Sequence, residues 1–210
     1  MKKILITAGP TREYIDPVRF ITNRSSGKMG YALAEAAVAR GFGTILVTGP
    51  VNLEPPAGVE VVRVESASEM AAAVKRLSPG CDAVVMAAAV ADYRPVEVSA
   101  HKLKKQPGDL TLRLERTEDI LASLGEMKTP GQVLVGFAAE TDDLLENAKH
   151  KLERKNLDWI AANRVCDGFG ADTNKVILLG REGKVVELPL ESKAVVAKMI
   201  LETIFGRQPE

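Results

Sequence analysis

The segment Asn23-Arg24-Ser25-Ser26-Gly27-Lys28-Met29-Gly30 combines residue types that bind anions. It offers two serine hydroxyls, a lysine and accessible backbone N–H groups, and it leads into an alanine-rich stretch with the pattern of a helix. The N-terminus of a helix attracts phosphate through its dipole and its unpaired N–H groups. We therefore interpret 23–30 as a phosphate-binding loop. The alternative is that Ser25 or Ser26 only caps the helix.

The loop matches neither of two common nucleotide-binding motifs. A P-loop would need glycine at position 22 and serine or threonine at position 29, where the chain has Thr22 and Met29. The dinucleotide-binding fingerprint would need glycine at position 25, where the chain has Ser25. The sequence thus predicts a phosphate loop of another kind.

Two clusters of basic residues could add positive charge to such a site. The first is Lys102, Lys104 and Lys105, and the second is Lys149, Lys151, Arg154 and Lys155. Charge runs are usually solvated surface, and lysines suit a helix C-terminus. The i, i+4 spacing of Lys151 and Lys155 nevertheless places them on one helix face. Several cations around one cleft would suit a polyanionic ligand such as a triphosphate.

Two further residues lie near the ends of predicted strands, and each has more than one interpretation. Phe137 could stack on a base or pack in the core. Asp92 could accept hydrogen bonds, hold a magnesium ion or cap a turn. The sequence shows no pattern of a Ser-His-Asp triad and no metal-ligand cluster, and both histidines are close to lysines in the sequence.

Alternating strand and helix patterns must position these residues. They predict an α/β fold with a doubly wound, mostly parallel, Rossmann-like sheet and a C-terminal β-hairpin over 175–188. The predicted strands are 3–8, 44–47, 59–64, 82–89, 133–139 and 157–162, and the predicted helices are 28–40, one opening at Ser66, 142–154 and 191–205. Ligands bind beyond the carboxyl ends of such strands. The small residues of 87–89 and Gly136 lie there, either for close ligand approach or for packing.

A polar, basic insertion over about 92–116 interrupts the alternation. Long segments of this kind usually carry function, which suggests a flap beside the site. Within it, Leu110, Leu112 and Leu114 alternate with polar residues and predict a half-exposed strand.

Composition limits the class of protein. The 210 residues are 46% hydrophobic and carry 28 basic and 28 acidic side chains, which fits one folded domain over 1–210. Zero net charge argues against a general nucleic-acid or membrane binder, and no apolar run is long enough to span a bilayer. Cys81 and Cys166 each lie beside an apolar run, so we expect buried free thiols in a reducing cytoplasm.

Several motifs together resemble those of one family. They are Gly9-Pro10-Thr11-Arg12-Glu13, Asp16-Pro17-Val18-Arg19, the 23–30 loop, Ala88-Ala89-Val90-Ala91-Asp92-Tyr93-Arg94, Lys102-Leu103-Lys104-Lys105 and Gly136-Phe137-Ala138-Ala139-Glu140-Thr141. In this order they closely resemble the bacterial phosphopantothenoylcysteine synthetases, the phosphopantothenate–cysteine ligases of coenzyme A biosynthesis. The resemblance covers essentially the whole chain.

The resemblance implies a reaction and its partners. The carboxylate of 4'-phosphopantothenate attacks the α-phosphate of CTP, with Mg²⁺ as cofactor, to give an acyl-cytidylate and pyrophosphate. The amine of L-cysteine then displaces CMP. The resemblance also implies a cytoplasmic homodimer with the insertion at its interface, and it leaves open a stand-alone ligase or one fused to a flavin-dependent decarboxylase.

The resemblance further implies roles for individual residues. Asn23 would polarise the acyl carbonyl, Arg19 would lie in the substrate site, and Lys102 would close over the triphosphate on the flap. The backbone at Ala89 would face the intermediate, beside Ser25 and Gly27 of the loop. The nucleotide would contact Met86, Ala87, Ala88, Asp92, Lys102, Glu115, Arg116, Thr117, Glu118, Phe137, Lys151 and Lys155. At 117–120 the chain reads Thr-Glu-Asp-Ile where the family usually has Asn-Pro-Asp-Ile, so the side chains of Thr117 and Glu118 need not act.

Two other functions are compatible with the fold. A short-chain dehydrogenase would need a Tyr-x-x-x-Lys pair, but Tyr14, Tyr31 and Tyr93 are followed four residues later by valine or glutamate. A non-catalytic nucleotide sensor would keep the loop without the chemistry, and the joint presence of Asn23 and Lys102 argues against it.

Overall fold

The computed structural model describes residues 1–140, 143–164 and 171–207. Its strands are β1 (Lys3–Ala8), β2 (Arg12–Tyr14), β3 (Phe20–Thr22), β4 (Gly43–Thr48), β5 (Val59–Arg63), β6 (Ala83–Met86), β7 (Tyr93–Pro95), β8 (Leu114–Arg116), β9 (Val133–Glu140), β10 (Trp159–Arg164), β11 (Thr173–Asn174), β12 (Ile177–Gly180), β13 (Val185–Glu187) and β14 (Glu191–Ser192). The α-helices are α1 (Lys28–Ala39), α2 (Ala67–Leu77), α3 (Ile120–Met127), α4 (Leu144–Arg154) and α5 (Lys193–Phe205).

The central sheet has the order β13-β12-β10-β9-β6-β1-β4-β5 within the described residues. The strands β10, β9, β6, β1, β4 and β5 are parallel to one another, and β12 and β13 add an antiparallel hairpin beside β10. The chain leaves β1 first toward β4 and later returns to β6 on the other side of β1, so the winding reverses between β1 and β6. In open α/β sheets that reversal opens the crevice in which ligands bind. The predicted fold class is confirmed.

Helices cover both faces of the sheet because successive strand side chains point to opposite sides. Ile4 and Ile6 of β1 belong to the core shared with α1 and α5, whereas Leu5 belongs to the core shared with α2, α3 and α4. All three side chains are fully buried. Because both faces of the parallel strands are buried, these strands appear in the sequence as continuous apolar runs.

The fourth long strand is shorter than the sequence predicts. It ends at Met86, and Ala87–Ala89 leave the sheet to follow the loop after β1. The Ala88 N–H donates to the Thr7 hydroxyl over 3.0 Å, and the Ala89 N–H donates to the Gly9 carbonyl over 2.9 Å. These hydrogen bonds bind the ends of β1 and β6 together and shape the floor of the crevice.

Two expectations for the middle of the chain need correction. The strand predicted from the alternation of Leu110, Leu112 and Leu114 is wrong for most of its length, because only Leu114–Arg116 is a strand and all three leucines are exposed. The ribbon of β7 and β8 has only these two strands, so the alternation marks no buried face. Helix α3 was not predicted, although Asp119 caps it by accepting a hydrogen bond from the Ala122 N–H over 3.1 Å.

The other elements match their predictions with small differences at the ends. Cys81 is a buried free thiol, as expected, and burial raises its pKa. Cys166, Thr141 and the predicted helix start at Asp142 lie outside the described residues. Among the residues that are described, no helix combines the length and apolar character needed to cross a bilayer.

Candidate functional site

Two adjoining pockets lie at the carboxyl ends of β1, β6 and β9. The α4 pocket, of about 510 Å³, is lined by α4 and by the chain around β8 and the start of α3. The loop pocket, of about 420 Å³, is lined by residues 23–30 and the end of β9. The two pockets share Ala88, Val90, Asp92, Phe137 and Lys151 as lining residues. One extended ligand could therefore occupy both.

The start of α1 forms one wall of the loop pocket. Gly27 occupies the N-cap position with a left-handed φ of 77° and makes no side-chain cap, so the alternative that a serine simply caps the helix is wrong. Instead the Ser25 hydroxyl accepts a hydrogen bond from the Gly27 N–H over 3.3 Å. A Cβ atom at Gly30 would lie 2.5 Å from the Ala8 Cβ, so glycine is needed for α1 to approach β1 this closely. The predicted helix N-terminus beside a ligand crevice is confirmed.

The Asn23 side chain is hydrogen-bonded to the backbone of Ala89 and Val90 beside the loop pocket. Its amide nitrogen donates to the Ala89 carbonyl over 3.0 Å and to the Val90 carbonyl over 3.1 Å. An amide nitrogen has two N–H groups, so both are used in this structure. The expected contact between Asn23 and an acyl carbonyl stays a prediction, and it would require one of these two hydrogen bonds to be exchanged. Asn23 lines the loop pocket, as expected, and holds the backbone at Ala89.

The side chains of Thr117 and Glu118 line the α4 pocket but are engaged by protein groups. The Thr117 hydroxyl donates to the Ala91 carbonyl over 2.6 Å. Glu118 forms an ion pair with Lys75 and accepts a hydrogen bond from the Ser123 hydroxyl, and both interactions lower the pKa of Glu118. These contacts support structural roles at the two positions that depart from the family pattern.

The lysines of α4 reach the pocket from the opposite side. Lys151 lines both pockets, and Lys155 lines the α4 pocket. The Lys155 ammonium lies 2.9 Å from the Asp119 carboxylate, and only 14% of the lysine side chain is exposed. Burial raises the pKa of Asp119, but hydrogen bonds from Lys155 and from the Ala122 N–H outweigh it and leave the pKa below its usual value. A phosphate placed here would share Lys155 with Asp119.

Most of the other predicted nucleotide-binding and substrate-binding residues meet in these pockets. Met86, Asp92, Arg116 and Phe137 line the α4 pocket, and Ala87, Ala89, Ser25 and Gly27 line the loop pocket, while Ala88 lines both. Gly136 has a packing role, since a Cβ there would lie 2.8 Å from Leu121 and 2.9 Å from Leu157. Of its two interpretations, close packing is the one that the structure shows.

Arg19, Lys102 and Glu115 line neither pocket. Arg19 pairs with Asp16 and also donates to the Leu103 carbonyl over 2.7 Å, while the Leu103 N–H donates to Asp16 over 3.1 Å. Hydrogen bonds from Arg19 and from backbone N–H groups hold the pKa of Asp16 well below its usual range. This network ties the flap to the loop before β3 and leaves the adjacent Lys102 exposed. The predicted roles of Arg19 and Lys102 therefore stay predictions.

Three lining residues of the loop pocket were missed by the sequence analysis. They are Asn163, Asn174 and Lys193. Asn163 stands near the carboxyl end of β10, so the strand-end rule could have found it. Asn174 and Lys193 belong to the short β11–β14 pair and to the start of α5, and no local pattern links them to a site.

Comparison with known proteins agrees with this architecture. Residues 1–207 match the family model described as the DNA/pantothenate metabolism flavoprotein C-terminal domain. The chain is 54% identical over 207 residues to the coenzyme A biosynthesis bifunctional protein CoaBC of Bacillus subtilis, covering 97% of this chain and 51% of that protein. The chain thus spans about half the length of this relative.

Solved structures share the fold along nearly the whole chain. A crystal structure of the C-terminal domain of a CoaBC protein has 51% identity and a TM-score of 0.84, covering 97% of this chain and 93% of that one. A Cab2 variant in complex with phosphopantothenate-cysteine has 22% identity and a TM-score of 0.81, covering 97% of this chain and 85% of that one, which shows a shared fold. The chain therefore belongs to the family of DNA/pantothenate metabolism flavoprotein C-terminal domains.

Proposed function

We propose that this chain is a phosphopantothenate–cysteine ligase of coenzyme A biosynthesis and that it uses CTP. The observation that carries the proposal is the continuous pair of pockets at the ends of β1, β6 and β9, with a helix N-terminus in one and two lysines in the other. Such a site suits a nucleoside triphosphate. Membership of the family and 54% identity to a bifunctional CoaBC protein support the choice of reaction.

The proposed reaction has two displacement steps. A carboxylate oxygen of 4'-phosphopantothenate forms a bond to the α-phosphorus of CTP, the bond from that phosphorus to the bridging oxygen breaks, and pyrophosphate leaves with the electron pair. The amine of L-cysteine then bonds to the acyl carbon, the carbon–oxygen bond to CMP breaks, and the amine nitrogen loses a proton. Since the substrate carboxylate is the nucleophile, no serine or cysteine nucleophile is needed.

Two sets of residues would position the nucleotide. In the α4 pocket, Phe137 offers a ring for the cytosine, and the backbone at Met86 and Ala88 would lie along its edge. Lys151 and Lys155 would offset phosphate charge, because cations aimed at developing charge in a sheltered site are effective. In the loop pocket, the N–H groups at the start of α1 would bind phosphoryl oxygens.

The segment Ala89–Val90 would position the acyl group. Asn23 holds both carbonyls of this segment, and the Ala89 N–H donates to the Gly9 carbonyl, so the backbone and Cβ atoms there keep a fixed orientation. We assign Asn23 the role of a positioning residue that acts through Ala89. Moving a reacting group by about 1 Å can slow a reaction by roughly 10²-fold. Loss of the Asn23 hydrogen bonds would therefore slow the attack of cysteine on the acyl group.

Magnesium would enter the site with the nucleotide. Mg²⁺ keeps several waters and usually binds one or two carboxylates together with substrate phosphates. In the described residues, no group of three or more histidine, cysteine or acidic side chains could hold a metal by itself. Asp92 lines both pockets, so its carboxylate fits a magnesium ion held mainly by phosphates. The ion would neutralise phosphate charge.

Three further features belong to the same proposal. The exposed side chains of Leu110, Leu112 and Leu114 would be buried in a homodimer, since clustered exposed apolar side chains often mark interfaces. Lys102 would approach the triphosphate when the flap closes. The chain would function beside a flavin-dependent decarboxylase domain; the CoaBC relative is described as bifunctional, and this chain covers 51% of it.

A pyrophosphate-release assay with a nucleotide panel tests the proposal. CTP, 4'-phosphopantothenate and L-cysteine together should give pyrophosphate, CMP and phosphopantothenoylcysteine, and omission of cysteine should leave the acyl-cytidylate bound. Release of pyrophosphate from ATP in preference to CTP would overturn the nucleotide assignment. Absence of product with every nucleotide would overturn the ligase assignment.

A further inference from the structure

The short β11–β14 pair places a buried amide side chain in the wall of the loop pocket. Asn174 of β11 is only 3% exposed and lines that pocket. Its backbone pairs with Glu191 of β14, and the Lys193 N–H donates to the Asp172 carbonyl over 3.0 Å beside that pair. The backbone that carries Asn174 is therefore held by main-chain hydrogen bonds, and the fold does not depend on its side chain.

The Asn174 side chain lacks strong partners within the described part of the protein. Its amide oxygen is buried and accepts no hydrogen bond. Its amide nitrogen makes only a long contact of 3.8 Å with the sulfur of Met29. Buried polar groups nearly always have partners, and a buried acceptor without one destabilises the folded chain. Because Asn174 lines a pocket, a ligand there could supply the missing partner.

The chemistry of the free atom limits the class of ligand. An amide oxygen accepts hydrogen bonds and cannot donate them, so its partner must carry an N–H or O–H group. An ionised phosphate or carboxylate carries neither at its oxygens. Among the described residues that line the loop pocket, Asp92 is the one acidic side chain, so an ammonium group would find little negative charge. A neutral N–H or O–H group is the partner that fits.

Met29 determines how such a group would reach the amide. Met29 is half-buried, lines the same pocket and makes the long contact with the Asn174 nitrogen. A methionine side chain has three rotatable bonds, and its sulfur is a weak acceptor. A ligand would therefore displace the Met29 side chain at little cost and bring its own donor to the amide oxygen.

We propose that the Asn174 oxygen accepts a hydrogen bond from the hydroxyl or the amide N–H of 4'-phosphopantothenate, and that Asn174 thereby selects the acyl substrate. This inference rests on the proposed function. Both neutral donors lie between the phosphate and the carboxylate of that substrate. Asn174 lines the loop pocket, which also contains Ala89, and does not line the α4 pocket proposed for the base. A site that hydrogen-bonds a substrate O–H or N–H discriminates against analogues that lack it.

The first test measures binding of 4'-phosphopantothenate to the full chain by calorimetry, without CTP or cysteine. Asn174→Leu keeps a similar branched shape and removes the acceptor. Loss of one neutral hydrogen bond should raise the Kd by about 2- to 10-fold, while the Kd of CMP should not change. Asn52→Leu is the matched control, since Asn52 is exposed and lines neither pocket. Asn174→Ala guards against a leucine that does not fit, and it should weaken binding in the same way.

Two substrate analogues identify the donor. One lacks the free hydroxyl, and the other has an ester oxygen in place of the amide N–H. The analogue without the relevant donor should bind the wild type more weakly than 4'-phosphopantothenate does, but it should lose no affinity relative to 4'-phosphopantothenate in Asn174→Leu. Losses that are the same in the wild type and the variant, for both analogues, would overturn the inference.

Thermal unfolding of the free chain separates a binding role from a structural one. Removing an unpartnered buried acceptor should leave the Tm of Asn174→Leu equal to or above that of the wild type. A lower Tm with unchanged 4'-phosphopantothenate affinity would show that the amide is structural and would overturn the inference. An equal loss of CMP and 4'-phosphopantothenate affinity in both Asn174 variants would also overturn it.

The same design separates this inference from the proposed function. Binding of 4'-phosphopantothenate is measured without turnover. A wild-type chain that forms product from CTP but whose 4'-phosphopantothenate affinity does not depend on Asn174 would refute only the inference. A wild-type chain that forms no product with any nucleotide would refute the proposed ligase activity.

Discussion

The substitution Asn23→Asp tests whether the Ala89–Val90 segment is held by the Asn23 amide. The change preserves shape but replaces the amide nitrogen, which donates over 3.0 Å and 3.1 Å, by an oxygen facing two carbonyl oxygens. Two lost hydrogen bonds at about 0.5–1.5 kcal/mol each amount to about 1–3 kcal/mol of unfolding free energy. Because Asn23 is half-buried, we expect the lower part of that range.

The stability effect is measurable as a change in Tm. At this chain length each 1 kcal/mol shifts Tm by roughly 2–4 °C, so the variant should melt several degrees below the wild type at neutral pH. The difference should narrow as the pH approaches about 4, the usual range of a carboxyl pKa, because a protonated acid can donate one hydrogen bond again. Asn52→Asp is the control for the added charge, since Asn52 is exposed.

The activity effect should fall on the second half-reaction. Nucleotide contacts in the α4 pocket do not involve Asn23, so pyrophosphate release should persist while attack by cysteine slows by roughly 10²-fold, the expected cost of a misplaced reacting group. Mass spectrometry of the quenched reaction should then show accumulated acyl-cytidylate. Unchanged Tm together with full turnover and no intermediate would refute the positioning role.

Four further predictions concern packing and the flap. Gly30→Ala should destabilise the protein by about 1–3 kcal/mol in denaturant titrations, as overpacked cores do, while Gly80→Ala, with open space around its Cβ position, should change stability far less. Lys102→Gln should leave Tm unchanged, because Lys102 is exposed, and should slow pyrophosphate release; unchanged release would mean that Lys102 is only solvated. Hydrogen exchange over 93–108 should slow when CTP and Mg²⁺ bind, and equal protection in both states would refute a closing flap. The protection factors of the same amides should fall in acid: the pKa of Asp16 is depressed in the folded state, so its stabilisation is complete above the unfolded pKa of about 3.9 and is lost as pH falls through the lower folded-state pKa.

Local sequence patterns determined the parallel sheet and the helix N-terminus that lines the loop pocket. Four strands, β1, β4, β6 and β9, appear in the sequence as short continuous apolar runs, and α1 appears as an alanine-rich helical stretch. Their alternation along the chain indicates a parallel sheet covered by helices. The loop 23–30 is contiguous, so its glycines and the helix that follows it indicate an N-terminal anion site without any tertiary information. The same reasoning failed at Leu110, Leu112 and Leu114, because alternation predicts a strand only where one face is buried, and here neither face is covered.

Tertiary structure decided which distant residues line the same pockets and which partners their side chains have. Asn23 was identified by its motif, but only the fold shows that its two N–H groups are used by Ala89 and Val90, which lie more than sixty positions away. Lys193 lies far along the chain from Lys28, and the β11–β14 pair brings it to the start of α1. Periodicity and helix dipoles act over a few residues, so a sequence can display them directly. Juxtaposition across the sheet depends on how the whole chain winds, which no local pattern contains.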